Sequence, residues 1–303
     1  MYMYKLSVVV CTYKRENLLR MCLESLEKQT AIKADYEIVV VNNHSNELSE
    51  NLIKEFKDQN NNIRFINEPI QGLSHARNRG WKESSGRYIA FIDDDSKAEK
   101  NWCKYIIECF YKIKPTPASV GGKILPWYDI DPPYWFNDRI ETRSWGNEAG
   151  YLVPPRAKYG FNGSNMAFDQ HVLELMGGFS TQYGMIGDEL RLGEETELFM
   201  RLYKKHPKFW YDPQIIIYDY IPSPNMKLRY LLMRSYKSGQ TLRKLVGCSY
   251  LSVTFFKSLM DLIYTLIKFP FRLIKKSEPF LAEIILFIIE SGHYIGFLIG
   301  KNK

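Results

Sequence analysis

Leu6-Ser7-Val8-Val9-Val10-Cys11 is a β-branched, almost wholly apolar run, the pattern of a strand buried on both faces of a parallel sheet. Between Asn17 and Gln29 the spacing changes. Leu18, Leu19, Cys22, Leu23 and Leu26 fall on one side of a helix whose other side is polar. Tyr36 to Val41 predicts a second strand, closed by the turn-forming Asn42-Asn43-His44-Ser45-Asn46, and Leu48 to Gln59 a second helix. Ile63 to Asn67, Leu73 to Ser84 and Tyr88 to Ile92 continue as strand, helix and strand, the last running into Asp93-Asp94-Asp95.

Four strands alternating with three helices predict right-handed βαβ crossovers and an α/β fold, an open, mostly parallel twisted sheet flanked by helices. Such sheets bind ligands beyond the carboxyl ends of their strands. The polar clusters Thr12 to Arg15, Asn42 to Asn46 and Asp93 to Asp95 each follow a strand. Three separate pieces of chain are therefore expected to converge on one crevice.

Beyond a helix at Trp102 to Tyr111, the chain is rich in Gly, Pro and aromatic residues as far as about Tyr159. A packed loop region is expected there, and Trp127, Tyr134, Trp135 and Trp145 could also offer a stacking platform for a sugar ring or a base. Helical spacing returns at Asp169 to Met176 and Glu194 to Lys205, followed by a strand at Gln214 to Tyr218. Pro222 and Pro224 then mark a boundary.

Composition sharpens this picture in two ways. With 303 residues, 45% of them hydrophobic, the chain can bury one large core or two ordinary ones. Its five cysteines lie far apart with no CxxC pair, which fits reduced thiols better than a disulfide or zinc framework. The net charge of +7 is unevenly distributed: residues 225 to 303 carry 13 Lys/Arg against 4 Asp/Glu, a net of +9, which leaves −2 for the rest. In this tail the bases alternate with apolar runs, 29 of the 50 residues from 251 to 300 being hydrophobic. That mixture favours an anionic membrane surface over nucleic acid. Glu283, Glu290 and His293 interrupt its best apolar window, Phe280 to Gly300, so the tail is expected to lie in the membrane interface and not to span it. The run Leu6 to Cys11 is too short for a signal peptide and lacks a small-residue cleavage site, so an intracellular protein is expected.

Three consecutive aspartates crowd like charges, and a hard divalent cation, Mg2+ or Mn2+, would relieve the repulsion. A solvated acidic loop is the plainer alternative. No glycine-rich dinucleotide or P-loop motif is present, which weighs against dehydrogenases and P-loop nucleotidases. Phosphate charge would fall to Arg15, Arg77, a metal, and backbone donors of Gln71-Gly72-Leu73-Ser74 at a helix start. Gly193-Glu194-Glu195-Thr196-Glu197 opens an amphipathic helix. Its acids either complement the helix dipole or supply a general base for an attacking hydroxyl.

The ordered segments Ser7 to Arg15, Gly72-Leu73-Ser74-His75-Ala76-Arg77-Asn78, Phe91 to Asp95, Asn162-Gly163-Ser164-Asn165-Met166-Ala167 and Gly193 to Leu198 together resemble family 2 glycosyltransferases of the GT-A fold. The resemblance covers about residues 5 to 240. It implies an inverting transferase that moves a sugar from a nucleotide diphosphate donor, expected to be UDP-linked, to an acceptor hydroxyl with Mg2+ or Mn2+. Thr12, Tyr13, Arg15, Gly72 and Arg77 match nucleotide-binding positions, and Asn42 stands where the family usually has an aspartate for uracil. Asp93, Asp94 and Asp95 match the DxD element, with Asp95 on the metal. Gly163 and Asn165 match the loop beside the donor sugar, and Glu195 the base, usually Asp. Asp219 stands near a histidine that contacts metal or diphosphate in many relatives. The implied domains are a catalytic unit at 1–222, with a nucleotide half at 1–98 and an acceptor half at 99–222, and a helical tail at 223–303. A saccharide or lipid-linked acceptor at the cytoplasmic face of the cell membrane would be the partner. A nucleotidyltransferase and a catalytically inactive membrane scaffold are the alternatives.

Overall fold

The computed structural model describes residues 2–43, 50–59, 61–154, 156–187, 189–205, 208–247, 250, 252–274 and 280–300. The turn residues His44 to Asn46, the first two residues of the helix expected from Leu48, and Cys248 lie outside them. The chain divides into two compact units, one made of Met1–Pro126, Thr142–Glu189 and Glu194–Tyr220, the other of Trp127–Glu141, Leu190–Gly193 and Ile221–Lys303.

The first unit opens as the hydrophobic pattern predicts. Strand β1 (Tyr4–Thr12), helix α1 (Glu16–Glu27), β2 (Tyr36–Asn43), α2 (Glu50–Gln59), β3 (Ile63–Glu68), α3 (Leu73–Glu83) and β4 (Gly86–Asp93) follow one another. A short strand β5 (Ser96–Ala98) and helix α4 (Trp102–Lys112) come next. The Gly- and aromatic-rich stretch is more regular than a packed loop: it holds β6 (Ser119–Trp127), β7 (Gly150–Tyr151) and the single turn α5 (Arg156–Tyr159). Strand β8 (Met166–Asp169), α6 (Gln170–Met176), α7 (Glu194–Tyr203) and β9 (Phe209–Tyr220) complete the unit.

Among the described residues nine strands form one sheet in the order β3-β2-β1-β4-β8-β6-β9-β5, with β7 beside β9. Pairing is parallel from β3 through β4, and the pairs β4–β8, β6–β8, β5–β9 and β7–β9 are antiparallel. Strand pleating sends Val8, Val10, Ile38 and Ala90 into one apolar layer with α1, α2 and α4, and Val9, Val39 and Phe91 into a second layer with α3, α6 and α7. Covering on both faces explains why β1 and β2 are continuously apolar. The register aligns Thr12 with Asn42, Asn42 with Asn67, and Cys11 with Asp93, so the strand ends finish at one level.

In the second unit, α8 (Leu228–Val246), α9 (Val253–Ile274) and α10 (Phe280–Ile299) supply the helices expected of the tail. A Cβ on Gly239 would lie 1.9 Å from His293 O, and one on Gly296 would lie 2.0 Å from Tyr236 O, so α8 and α10 cross with their backbones touching. Arg243 is fully buried and donates to the carbonyls of Phe297 and Leu298. Arg139 donates to the buried Glu283, which removes one of the charges that interrupted the apolar window from solvent. Leu281–Ile299 is, by length and composition, long and apolar enough to cross a membrane, which corrects the expectation that no stretch qualifies.

Candidate active site

At the aligned ends of β1, β2 and β4 a cavity of about 390 Å³ opens, lined by Thr12, Tyr13, Lys14, Arg15, Asn43 and Asp93 to Asp95 among others. Three of the sequence-predicted clusters therefore do meet. Arg15 donates to Asp95 Oδ2 at 2.8 Å and lies 3.6 Å from Asp94 Oδ1, so a cationic group sits on the acidic triplet. Burial, then the neighbouring Asp95 charge, push Asp94 up to about 7, against the opposing pull of Arg15. Asp95 rises to about 6, first through burial and then through Asp93.

Asp219 joins this group through the sheet. Its partner in the β5–β9 ladder is Ser96, the residue after the triplet, and Tyr220 N donates to Asp95 O at 3.1 Å. Hydroxyls of Ser96 and Ser164 donate to its two carboxylate oxygens. Burial and Asp95 nevertheless raise Asp219 to about 7.

Arg77 is only 2% exposed. Its Nη2 donates to Asp93 Oδ1 at 3.1 Å and its Nη1 to Glu194 Oε1 at 2.7 Å, while the guanidinium lies 5.6 Å from the centre of the Phe179 ring. One buried cation thus ties the acidic triplet to the first turn of α7. Glu195, next along that helix, remains partly exposed. Burial and then the charge of Glu194 push its carboxyl up to about 8, with Arg77 pulling the other way. A carboxyl in that range is suited to taking a proton near neutral pH.

The glycine at 163 has a local reason. A Cβ there would stand 2.5 Å from Arg77 Nη2, so only glycine leaves room for the buried guanidinium. Asn165, by contrast, is spent on the fold: Oδ1 accepts from Trp102 Nε1, and Nδ2 donates to the carbonyls of Lys123 and Ile215.

Gly72 caps α3 at φ +141°, a conformation that favours glycine. Two of the four amides expected to face phosphate at this helix start are already engaged, since Gly72 N donates to Asn43 Oδ1 and Leu73 N to Met185 O. Asn42 lies at the matching end of β2 and donates to Asn67 Oδ1 at 3.3 Å, whereas its neighbour Asn43 lines the cavity.

Sequence reasoning missed Asn43 as a brace, and missed Met185 and Gly187, which also line the cavity. The paired glycines of Gly184-Met185-Ile186-Gly187, both at positive φ, were the available signal.

Among the described residues, no group of three or more His, Cys, Asp and Glu side chains is gathered as a ready metal cage. The donor set still suits a hard cation. Oδ2 of Asp94 is buried without a well-formed hydrogen bond, and Asp95 is matched by the positive charge of Arg15. Oxygen donors of this kind fit Mg2+ or Mn2+ held by one or two carboxylates together with substrate phosphates.

This curled, partly parallel sheet flanked by helices, with a polar crevice at its strand ends, has the architecture of GT-A glycosyltransferases. The mannosyltransferase PcManGT from Pyrobaculum calidifontis, solved with GDP-Man and Mn2+, superposes with a TM-score of 0.59 at 16% identity, over 98% of this chain and 72% of that one. Staphylococcus aureus TarS 1–349 with UDP-GlcNAc gives 0.56 at 16% identity, over 97% and 89%. Residues 7–176 match the glycosyl transferase family 2. The chain belongs to that family and is a glycosyltransferase. A glucosyl-dolichyl phosphate glucuronosyltransferase of Haloferax volcanii is 26% identical over 79% of this chain and 76% of its own length. Two other curated relatives, 40% and 36% identical, are matched over only 18% and 29% of their own lengths.

Proposed function

We propose that this glycosyltransferase is an inverting enzyme that moves a sugar from a UDP-linked donor to a hydroxyl of a lipid-linked or growing surface polysaccharide acceptor. The observation that carries the reading is the Arg77 bridge, which ties Asp93 of the triplet lining the crevice to Glu194, the neighbour of Glu195 in the first turn of α7. Inversion in a single displacement needs a leaving-group site and a base at one reaction centre, and no covalent intermediate.

In this reading Thr12, Tyr13 and Asn42 hold the nucleoside, Arg15 and the triplet face the diphosphate, and the loop at Gly163 borders the sugar. Glu195 takes the proton of the acceptor hydroxyl, and its raised carboxyl suits that transfer. Asp95, with Asp219 beside it, would hold a divalent cation, which supplies positive charge next to the departing diphosphate. Arg77 keeps Glu194 occupied, so Glu195 is left as the acid of the pair that exchanges a proton with the acceptor. Residues 1–98 act as the nucleotide half and 99–222 as the acceptor half, and the tail from 223 brings the protein to the inner face of a membrane. The UDP-GlcNAc bound to TarS, the Mn2+ bound to PcManGT and the dolichyl phosphate in the name of the Haloferax volcanii enzyme support donor, cation and acceptor class in turn.

A thermal-shift screen of UDP- and GDP-sugars, with and without Mn2+, tests this. Stabilisation by a UDP-sugar that depends on Mn2+, with release of UDP when an acceptor is added, is the expected result. Selective stabilisation by GDP-sugars would overturn the choice of donor, and no stabilisation by any nucleotide sugar would overturn the reading.

A further inference from the structure

Among the tail helices, α9 differs from α10 in what covers it. Phe269 of α9 stacks on Phe287 of α10 at 4.1 Å between ring centres, so one side of α9 is partnered. The opposite side is bare: Val253, Phe256, Met260, Ile263, Tyr264 and Ile267 are all exposed, Val253 at 86% and Met260 and Ile267 at 61%. Spacings of three and four place them in one stripe about 100° wide along the helix. Lys257 and Lys268 stand just beyond one edge of that stripe, and Lys268 reaches back over the Tyr264 ring at 4.4 Å.

We infer that this face of α9 lies on an anionic lipid surface, while one face of α10 is packed against α8. Three observations select lipid as the occupant. The region from residue 225 onward carries the whole basic excess of the chain, a net of +9, which complements anionic headgroups. Lysines at the border of an apolar stripe can bury their stems and keep their charges at headgroup level. A second copy is poorly matched, because a heptad seam through Val253, Phe256, Met260, Ile263 and Ile267 would be flanked by Lys257, Leu259, Tyr264 and Leu266, with no acid to pair the lysine, and would reach Pro270 at its next core position.

The inference deepens the membrane part of the proposed function and is independent of which sugar is moved. Full-length protein is sedimented with vesicles of phosphatidylglycerol and phosphatidylcholine in equal parts, and with phosphatidylcholine alone, at low and high salt. The wild type should co-sediment with the mixed vesicles at low salt. Met260→Glu combined with Ile263→Glu and Ile267→Glu should lose that binding with its thermal unfolding unchanged. Lys257→Glu with Lys268→Glu should weaken it by at least about tenfold on the anionic vesicles only. Leu175→Glu, an exposed apolar position on α6, is the control and should bind like the wild type. Transfer to a water-soluble acceptor should be the same in all variants, so a failure of the glycosyl-transfer reading registers separately from a failure of this one. Unchanged sedimentation of the triple variant would overturn the inference. So would a wild-type dimer, detected by light scattering, that the triple variant dissociates without any effect on vesicle binding.

Discussion

Arg77 Nη1 lies 2.7 Å from Glu194 Oε1, joining residues 117 positions apart in the chain. The pair is buried on both sides, with side-chain exposures of 2% and 8%. Removing one partner of a buried ion pair leaves the other charged, unpaired and out of water. Arg77→Met should therefore destabilise the protein by about 3–5 kcal/mol, the cost typical of breaking such a pair. Arg77→Lys keeps the charge but cannot reach Asp93 and Glu194 with two ends of one planar group, so an intermediate loss is expected. Chemical denaturation of the three proteins checks this, and a Met variant as stable as the wild type would contradict the role given to Arg77.

The same bridge makes Gly163→Ala informative. The added methyl would press on Arg77 Nη2 at 2.5 Å, and the guanidinium, held at both ends, has little room to retreat. Overpacking of this kind costs about 1–3 kcal/mol. Transfer should fall while the secondary structure measured by circular dichroism stays the same. Full activity in the alanine variant would mean that Arg77 can move without consequence.

Stability should depend on pH in a defined direction. Asp219 is pushed up to about 7, so between its ordinary unfolded value of about 4 and 7 the folded protein holds a proton that the unfolded chain releases. The slope of stability with pH is then negative: the contribution is complete below about pH 4 and is lost as pH rises through about 7. Asp219→Asn keeps acceptor and donor atoms for Ser96 and Ser164 and removes the titration. Relative to the wild type, this variant should gain stability as pH rises from about 5 to about 8. A difference in melting temperature that is constant across that range would contradict the assignment.

Much of this arrangement could be read before the fold was known, and the exceptions have physical causes. Strands β1, β2 and β4 were legible because burial on both faces requires uninterrupted apolar runs, and their aligned ends brought Thr12, Asn42 and Asp93 to one level. Strand β6 was hidden by Gly121 and Gly122, which disfavour an isolated strand. Both are required by neighbours distant in sequence, since a Cβ on Gly121 would meet the Phe161 ring at 2.3 Å and one on Gly122 the Ile215 carbonyl at 1.9 Å. Arg77 looked like a phosphate ligand because its partners, Asp93 and Glu194, sit on other elements and no local pattern ties the three together. Asn165 was singled out from its loop, yet its carboxamide is committed to Trp102, Lys123 and Ile215, a role that only the packed structure reveals.

The acidic triplet predicts a cation-dependent ligand affinity. Asp95→Ala removes the carboxylate that Arg15 now holds at 2.8 Å. In calorimetry, UDP should bind the wild type more tightly with Mn2+ than without it, and the variant should lose that difference while its fold persists. Equal Mn2+ enhancement in both proteins would move the cation elsewhere.

Most direct is the turnover of Glu195→Gln at saturating donor, measured together with donor affinity. The amide preserves size and removes basicity, so turnover should fall by about 100-fold or more, the scale of acid–base catalysis, with affinity for the nucleotide sugar little changed. In the wild type, whose Glu195 is pushed up to about 8, turnover should rise with pH toward that value as the carboxyl gives up its proton, and the rise should vanish in the variant. Near-normal turnover in Glu195→Gln, with the same pH dependence, would contradict the assignment of this carboxylate as the base and with it the mechanism proposed here.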